Sequence, residues 1–205
     1  FMVLFVGRVE IRHMAGVFAA TLPIVLVYAV SADYRWNRIM AHFGGDGGGA
    51  ASAGTYQIEQ AVIGLGSGGI FGVGMGMSKQ RELFLPESYT DFIFAIVGEE
   101  YGFIGAVLVL ALFIVIMIRG MKIGKRATDD LGRFLAIGIT VTITVYAMIN
   151  TMVTTGLLPT TGLPLPLLSY GGTSIIFTAY ALGILLNVSM FTRIRPRDLV
   201  VQDAP

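Results

Sequence analysis

Four stretches of this 205-residue chain, at approximately 15–31, 92–118, 134–156 and 170–191, stay apolar for long enough to cross a bilayer as helices. A hydrocarbon core takes roughly 17 to 25 helical residues, and a chain with four such stretches has few ways to fold in water. Only 13% of the residues are charged, against 55% apolar, and the mean hydropathy is +0.76; soluble domains run near 25% charged. The expected fold class is all-α, a polytopic helical membrane protein. Pro23 in the first stretch is tolerable where neighbouring helices satisfy the freed carbonyl. The third stretch contains Ile139-Thr140-Val141-Thr142-Ile143-Thr144-Val145, an alternation that in water reads as a strand. In lipid an isolated strand leaves its backbone unpaired, whereas a helix pairs it internally and lets threonine hydroxyls bond back to the preceding turn. Helix is therefore expected there too.

The chain begins Phe1-Met2-Val3-Leu4-Phe5-Val6, without the charged, apolar and small-residue order of a signal peptide. This start reads as the tail of an earlier helix. The expectation is four complete spans plus a partial one, residues 1–205 forming the C-terminal part of a single membrane domain. Ten of the fourteen Lys and Arg, among them Arg119, Lys122, Lys125, Arg126, Arg133, Arg193, Arg195 and Arg197, fall in one alternate set of connections. The positive-inside bias makes that set, and the C-terminus, cytoplasmic, so that 32–91 and 157–169 face outward. The three final arginines are read as a topological anchor rather than a nucleic-acid patch. With no cysteine, disulfides, thiolate metal sites and cysteine nucleophiles are excluded.

Structureless loops rarely exceed about 15 residues unless they are functional or disordered, so the outer segment 32–91 draws attention. Residues 44–54 are glycine, alanine and serine around Asp46, read as a flexible linker. Residues 56–65 carry Ile58, Ala61, Val62 and Leu65 at helical spacing, as expected of a short amphipathic helix on the membrane surface. The glycines from Gly64 to Gly76 formally contain the dinucleotide spacing G-x-G-x-x-G, but no strand precedes it and no parallel sheet surrounds it. Close passage of backbone against a helix or a polyprenyl substrate, exposure of amides to an anion, or a flexible loop all remain open.

Three carboxylates stand out. Asp91 is at the outer mouth of the second span, ahead of Phe92-Ile93-Phe94. Apolar surroundings disfavour an ionised carboxylate, which suits a general base, although a helix cap would use the same residue. Glu99 and Glu100 lie roughly 12 to 14 Å further along a helix, which puts them near mid-bilayer. Acids there need partners and serve either as structural glue or as a relay. No metal site is expected, because His13 and His42 fall on opposite sides of the membrane. Ser169 and Ser174 lack a nearby base. The segment Leu158-Pro159-Thr160-Thr161-Gly162-Leu163-Pro164-Leu165-Pro166 reads as a rigid re-entrant turn leading to Ser169-Tyr170-Gly171-Gly172.

These motifs resemble the SEDS family (FtsW, RodA, SpoVE) in order and spacing from about residue 15 to 192. The resemblance is carried by Tyr56-Gln57-Ile58-Glu59-Gln60, Gly66-Ser67-Gly68-Gly69, Ser78-Lys79-Gln80, Leu85-Pro86-Glu87-Ser88-Tyr89-Thr90-Asp91-Phe92-Ile93-Phe94, Gly98-Glu99-Glu100-Tyr101-Gly102 and the 158–172 segment. It implies a peptidoglycan glycosyltransferase that polymerises lipid II on the outer face of the bacterial cytoplasmic (inner) membrane. The implied partners are a class B penicillin-binding protein transpeptidase and other divisome proteins, with no nucleic acid. By the same resemblance Asp91 is the catalytic residue. Substrate contacts are implied at Lys79, Gln80, Arg81, Glu87, Thr90, Ser169, Tyr170, Gly171 and Gly172, and intramembrane roles for Glu99 and Glu100. Lys79 or Arg81 could steady the pyrophosphate, or else snorkel. The only cofactor candidate is a divalent cation such as Mg2+. Ser78-Lys79-Gln80 and Gly98-Glu99-Glu100 favour the FtsW-like division branch over the RodA-like elongation branch. Tyr89 stands where members commonly have histidine, so a required histidine before the Thr-Asp pair is not expected. A lipid II flippase and a noncatalytic scaffold are the competing readings.

Overall fold

The structure, a computed structural model, describes residues 10–31, 36, 40, 49–80, 85 and 90–194. It is all-helical, with no strand among the described residues. The helices are α1 (Ile11–Val30), α2 (Gly49–Ser67), α3 (Ile93–Arg126), α4 (Asp130–Thr154) and α5 (Gly172–Ile194). All but α2 are long and apolar enough to cross a membrane. The partial span expected at the start falls largely on residues 1–9, outside the described residues.

The apolar stretches locate the spans, but helix does not stop where apolarity does. α3 continues to Arg126 rather than ending near 118, carrying Arg119, Lys122, Lys125 and Arg126. Lysine and arginine are good helix formers, and Lys125 and Arg126 in the last turn complement the negative end of the helix dipole. A short turn follows, and the Asp129 side chain caps α4 by accepting from the Gly132 N–H at 3.0 Å. The alternating threonines lie in α4 as helix, with Thr140 Oγ1 donating to Ala136 O and Thr144 Oγ1 to Thr140 O. This hairpin puts the basic residues of the α3–α4 turn at one end. The turn before α3 and the non-helical 157–171 segment are at the other.

α3 and α4 form the principal packing pair. Gly120 and Gly124 let the two backbones close up, as small residues do in membrane bundles. A Cβ on Gly120 would come 2.0 Å from Thr140 Oγ1, and one on Gly124 would come 2.5 Å from Ile137 Cγ1. Thr140 is fully buried and has nowhere to go. Gly120→Ala is therefore expected to destabilise the protein by about 1–3 kcal/mol, an overpacking cost. Thermal melting in detergent reads it, and Thr140→Ala in the same chain should return part of the loss. Independent, additive losses would mean the two residues do not meet.

Two expectations for the outer segment change. Residues 49–54, read as linker, form the first turns of α2; the alanines at 50, 51 and 53 favour helix between the glycines. Residues 44–48 lie outside the described residues. The helix expected over 56–65 is thus 19 residues long, and its buried positions are small ones, Gly54, Ala61 and Gly64. They seat it against α3 and α4 rather than leaving an apolar face for lipid alone.

The glycine run has a specific task. α3 is interrupted at Gly102, whose φ of 66° and ψ of −164° are non-helical. In an unbroken helix the Phe103 and Ile104 amides would bond to Glu99 and Glu100. Here Phe103 donates to Gly69 O (2.8 Å) and Ile104 to Ile70 O (3.3 Å), while the Glu99 and Glu100 carbonyls accept from Val73 (3.0 Å) and Gly74 (3.1 Å). Residues 69–74 are spliced into the break, so all four backbone groups stay paired. Contact is backbone on backbone: a Cβ on Gly68 would meet Gly98 O at 2.0 Å, and one on Gly72 would meet Glu100 O at 2.1 Å. Of the readings left open for this run, close passage against a helix is the one observed.

Candidate functional site

Asp91 sits in the turn before α3. The N-cap position falls one residue later, on Phe92, whose side chain makes no capping bond, so the helix does not start on the aspartate. Phe92 and Phe94 are buried and hold the turn down into the core. Asp91 is half-buried and lines a recess of about 110 Å³ with Gln57 of α2, Asn150 and Val153 of α4, and residues 160–163. Its Oδ2 faces Gly162, where a Cβ would lie 3.7 Å away. Gly162 has a φ of +71°, so glycine suits the turn as well as leaving the carboxylate room.

The backbone around Asp91 is held from two directions. Ser169 Oγ donates to Thr90 O at 2.5 Å and itself accepts from Leu165 N–H at 2.7 Å. Asn150 Nδ2 donates to Asp91 O at 2.7 Å and to Leu163 O at 2.9 Å. The re-entrant segment and the aspartate turn are thereby tied together, although 59 and 79 residues separate the bonded partners across them.

A second cluster surrounds Glu99. This carboxylate is 3% exposed and accepts from Ser78 Oγ (2.5 Å), Lys79 N–H (3.1 Å) and Gln80 N–H (3.4 Å). It anchors the end of the spliced loop much as an anion is held at the start of a helical turn. Residues 103–126 alone span about 36 Å at 1.5 Å per residue, enough to cross a hydrocarbon core. Glu99 and Glu100 lie in the shorter piece of α3 before the break, stapled to a loop. Glu99→Ala would strand three donors and is expected to cost about 3 kcal/mol or more, with Glu99→Gln losing about half as much. Melting together with amide exchange at 78–80 reads this. Unchanged exchange in Glu99→Ala would exclude the anchor.

The expected site residues divide accordingly. Asp91 lines the recess. Thr90 and Ser169 support it, the Ser169 hydroxyl being engaged within the protein at 1% exposure. Lys79 and Gln80 belong to the Glu99 cluster, with the Lys79 side chain exposed and Gln80 buried, and neither lines the recess. Tyr170 is 81% exposed, Gly171 N–H returns to Ser169 O, and Gly172 opens α5. Arg81 and Glu87 lie outside the described residues. Gln57, Asn150 and Gly162 were not foreseen as site residues. The available signal was an amide, Asn150, inside an apolar span, where it must find partners.

Among the described residues no group of three or more His, Cys, Asp or Glu could hold a metal. Among the described residues Asp91 is the sole carboxylate on the recess wall, beside neutral oxygens. Mg2+ usually takes one or two carboxylates together with substrate phosphates, so this donor set does not by itself fit a resident cation.

A family of cell cycle proteins, described by FtsW, RodA and SpoVE, matches residues 1–194. Similar relatives include the "Probable peptidoglycan glycosyltransferase FtsW" of Geobacter metallireducens, 44% identical over 92% of this chain and 50% of that protein. The stage V sporulation protein E of Bacillus subtilis is 43% identical over 93% of this chain and 51% of that protein. A solved chain reported under "Structural coordination of polymerization and crosslinking by a peptidoglycan synthase complex" superposes with a TM-score of 0.67 at 26% identity, covering 93% of this chain and 52% of that one. The chain thus spans about half the length of the curated relatives it matches.

Proposed function

Because the chain belongs to the FtsW/RodA/SpoVE family of cell cycle proteins, we propose that, within a protein of its relatives' full length, it polymerises lipid II into glycan strands during bacterial division. The observation that carries the reading is the Asp91 carboxylate, half-buried in a recess and facing Gly162. Its backbone is held by Ser169 and Asn150. Asp91 takes the proton from the acceptor sugar hydroxyl as that oxygen attacks the anomeric carbon of the donor. The bond to undecaprenyl pyrophosphate breaks and the pyrophosphate leaves with the electron pair. Lys79, held by its backbone to Glu99 with its exposed side chain outside the recess lining, is the described outer cation we assign to the departing charge. A divalent cation arriving with the substrate would be held by the Asp91 carboxylate and would supply positive charge to the leaving group, and no step here depends on it.

The recess opens on the outer side of the cytoplasmic membrane, opposite the basic α3–α4 turn, and the C-terminus is cytoplasmic. The partner is a class B penicillin-binding protein transpeptidase, in keeping with the synthase complex to which the fold is similar. The relatives' names favour the division role over the elongation one. The test supplies lipid II to the purified full-length protein with its transpeptidase and measures glycan polymer. Polymer supports the reading. Lipid II crossing liposomes without polymer forming would replace it with transport.

A further inference from the structure

Four polar side chains of α4, Thr140, Thr144, Thr151 and Thr154, bond back to their own helix. Asn150, on the same helix, spends both amide protons elsewhere, on the carbonyls of Asp91 and Leu163. Its orientation is settled by chemistry, since turning the amide over would set an oxygen against two carbonyl oxygens. That orientation leaves Asn150 Oδ1 buried without a hydrogen-bond partner. A buried side chain kept in a pose that leaves its own acceptor unpaired is serving its donors' targets.

Those targets decide where Asp91 points. Asn150 fixes the carbonyl of the peptide after the Asp91 Cα, and Ser169 fixes the carbonyl of the peptide before it, Thr90 O. Holding the planes on both sides of a Cα holds its φ and ψ, and with them the direction of the Cα–Cβ bond. The second Asn150 proton, on Leu163 O, holds another part of the recess wall, next to Gly162, which faces the carboxylate. We propose that Asn150 is a positioning residue for the transfer step, setting the carboxylate of Asp91 against the acceptor hydroxyl without itself touching substrate. This rests on the glycosyltransferase reading above, with Asp91 as base.

The test uses the full-length protein with its transpeptidase. Asn150→Thr is the informative variant, because a threonine there can bond back to α4 as its neighbours do and leaves the two carbonyls ungripped. Misplacement on the 1 Å scale can cost on the order of 100-fold. The expected result is therefore a loss of about that size in kcat, with KM for lipid II within about threefold. In an Asp91→Asn background, adding Asn150→Thr should leave the affinity for lipid II unchanged, because a residue acting only through Asp91 has nothing left to position. A kcat within threefold of native overturns the proposal. So does weakened lipid II binding in the Asp91→Asn background, which would make Asn150 a substrate or fold contact. Asn150→Gln keeps both protons on a longer arm and should fall between native and Asn150→Thr. It is read by the same criteria where Asn150→Thr fails to assemble. Equal polymer from native and Asp91→Asn would sink the reading of Asp91 itself. A native-like Asn150→Thr beside an inactive Asp91→Asn would sink only the role of Asn150.

Discussion

Asp91→Asn, in a full-length protein carrying this sequence and given lipid II with its transpeptidase, is expected to lower the rate of glycan polymerisation by about 100- to 10,000-fold, the range general-base catalysis spans. Asparagine has the shape of aspartate but cannot take a proton. The groups that hold residue 91 in place grip backbone carbonyls, which the substitution leaves alone. The recess should therefore keep its form, and KM for lipid II should stay within a few-fold while kcat falls. Melting temperature and association with the transpeptidase provide the control for folding. Equal polymer from the two proteins would remove Asp91 from the chemistry, however well it is placed.

Gly102→Ala is expected to have the largest effect on stability, more than about 4 kcal/mol, a size reserved for specific mechanisms. Two act together here. The φ of 66° and ψ of −164° lie in a region essentially closed to residues with a Cβ, at about 1–3 kcal/mol. The new methyl would also fall 2.4 Å from Gly72 N and 2.5 Å from Ile70 O, backbone atoms that cannot rotate aside. Relief requires the loop to leave the break, which exposes the bonds of Val73, Gly74, Phe103 and Ile104 at once. Amide exchange at these four positions should accelerate together, with a matching fall in melting temperature. Gly16→Ala is the control, since nothing lies within 4 Å of its Cβ position and alanine is the better helix former. If Gly102→Ala melts like native and keeps its exchange protection, residues 69–74 are not spliced into α3.

Asp91 is conspicuous as an acid at the head of an apolar run, and Gly98-Glu99-Glu100 as charge where lipid would penalise it. The sequence makes it plain that Glu99 needs partners, but nothing near it identifies them as Ser78, Lys79 and Gln80. The glycine run could be read as close approach, anion cradle or slack loop, because glycine permits all three. Asn150 was visible as an amide in a span, yet its meaning depends on Asp91 and Leu163 lying within reach of it.

The number and place of the spans, and helix through the threonine alternation, followed from the sequence by itself. In lipid a backbone group that no other part of the protein covers must be paired within its own segment, so length and apolarity decide the element without reference to distant residues. The break at Gly102, the loop filling it and the clamp around Asp91 were decided only in the tertiary structure. Their bonds join Val73 to Glu99, Asn150 to Asp91 and Ser169 to Thr90. Such groups meet only after the helices have packed, and no local pattern records which of the available donors and acceptors will end up facing each other.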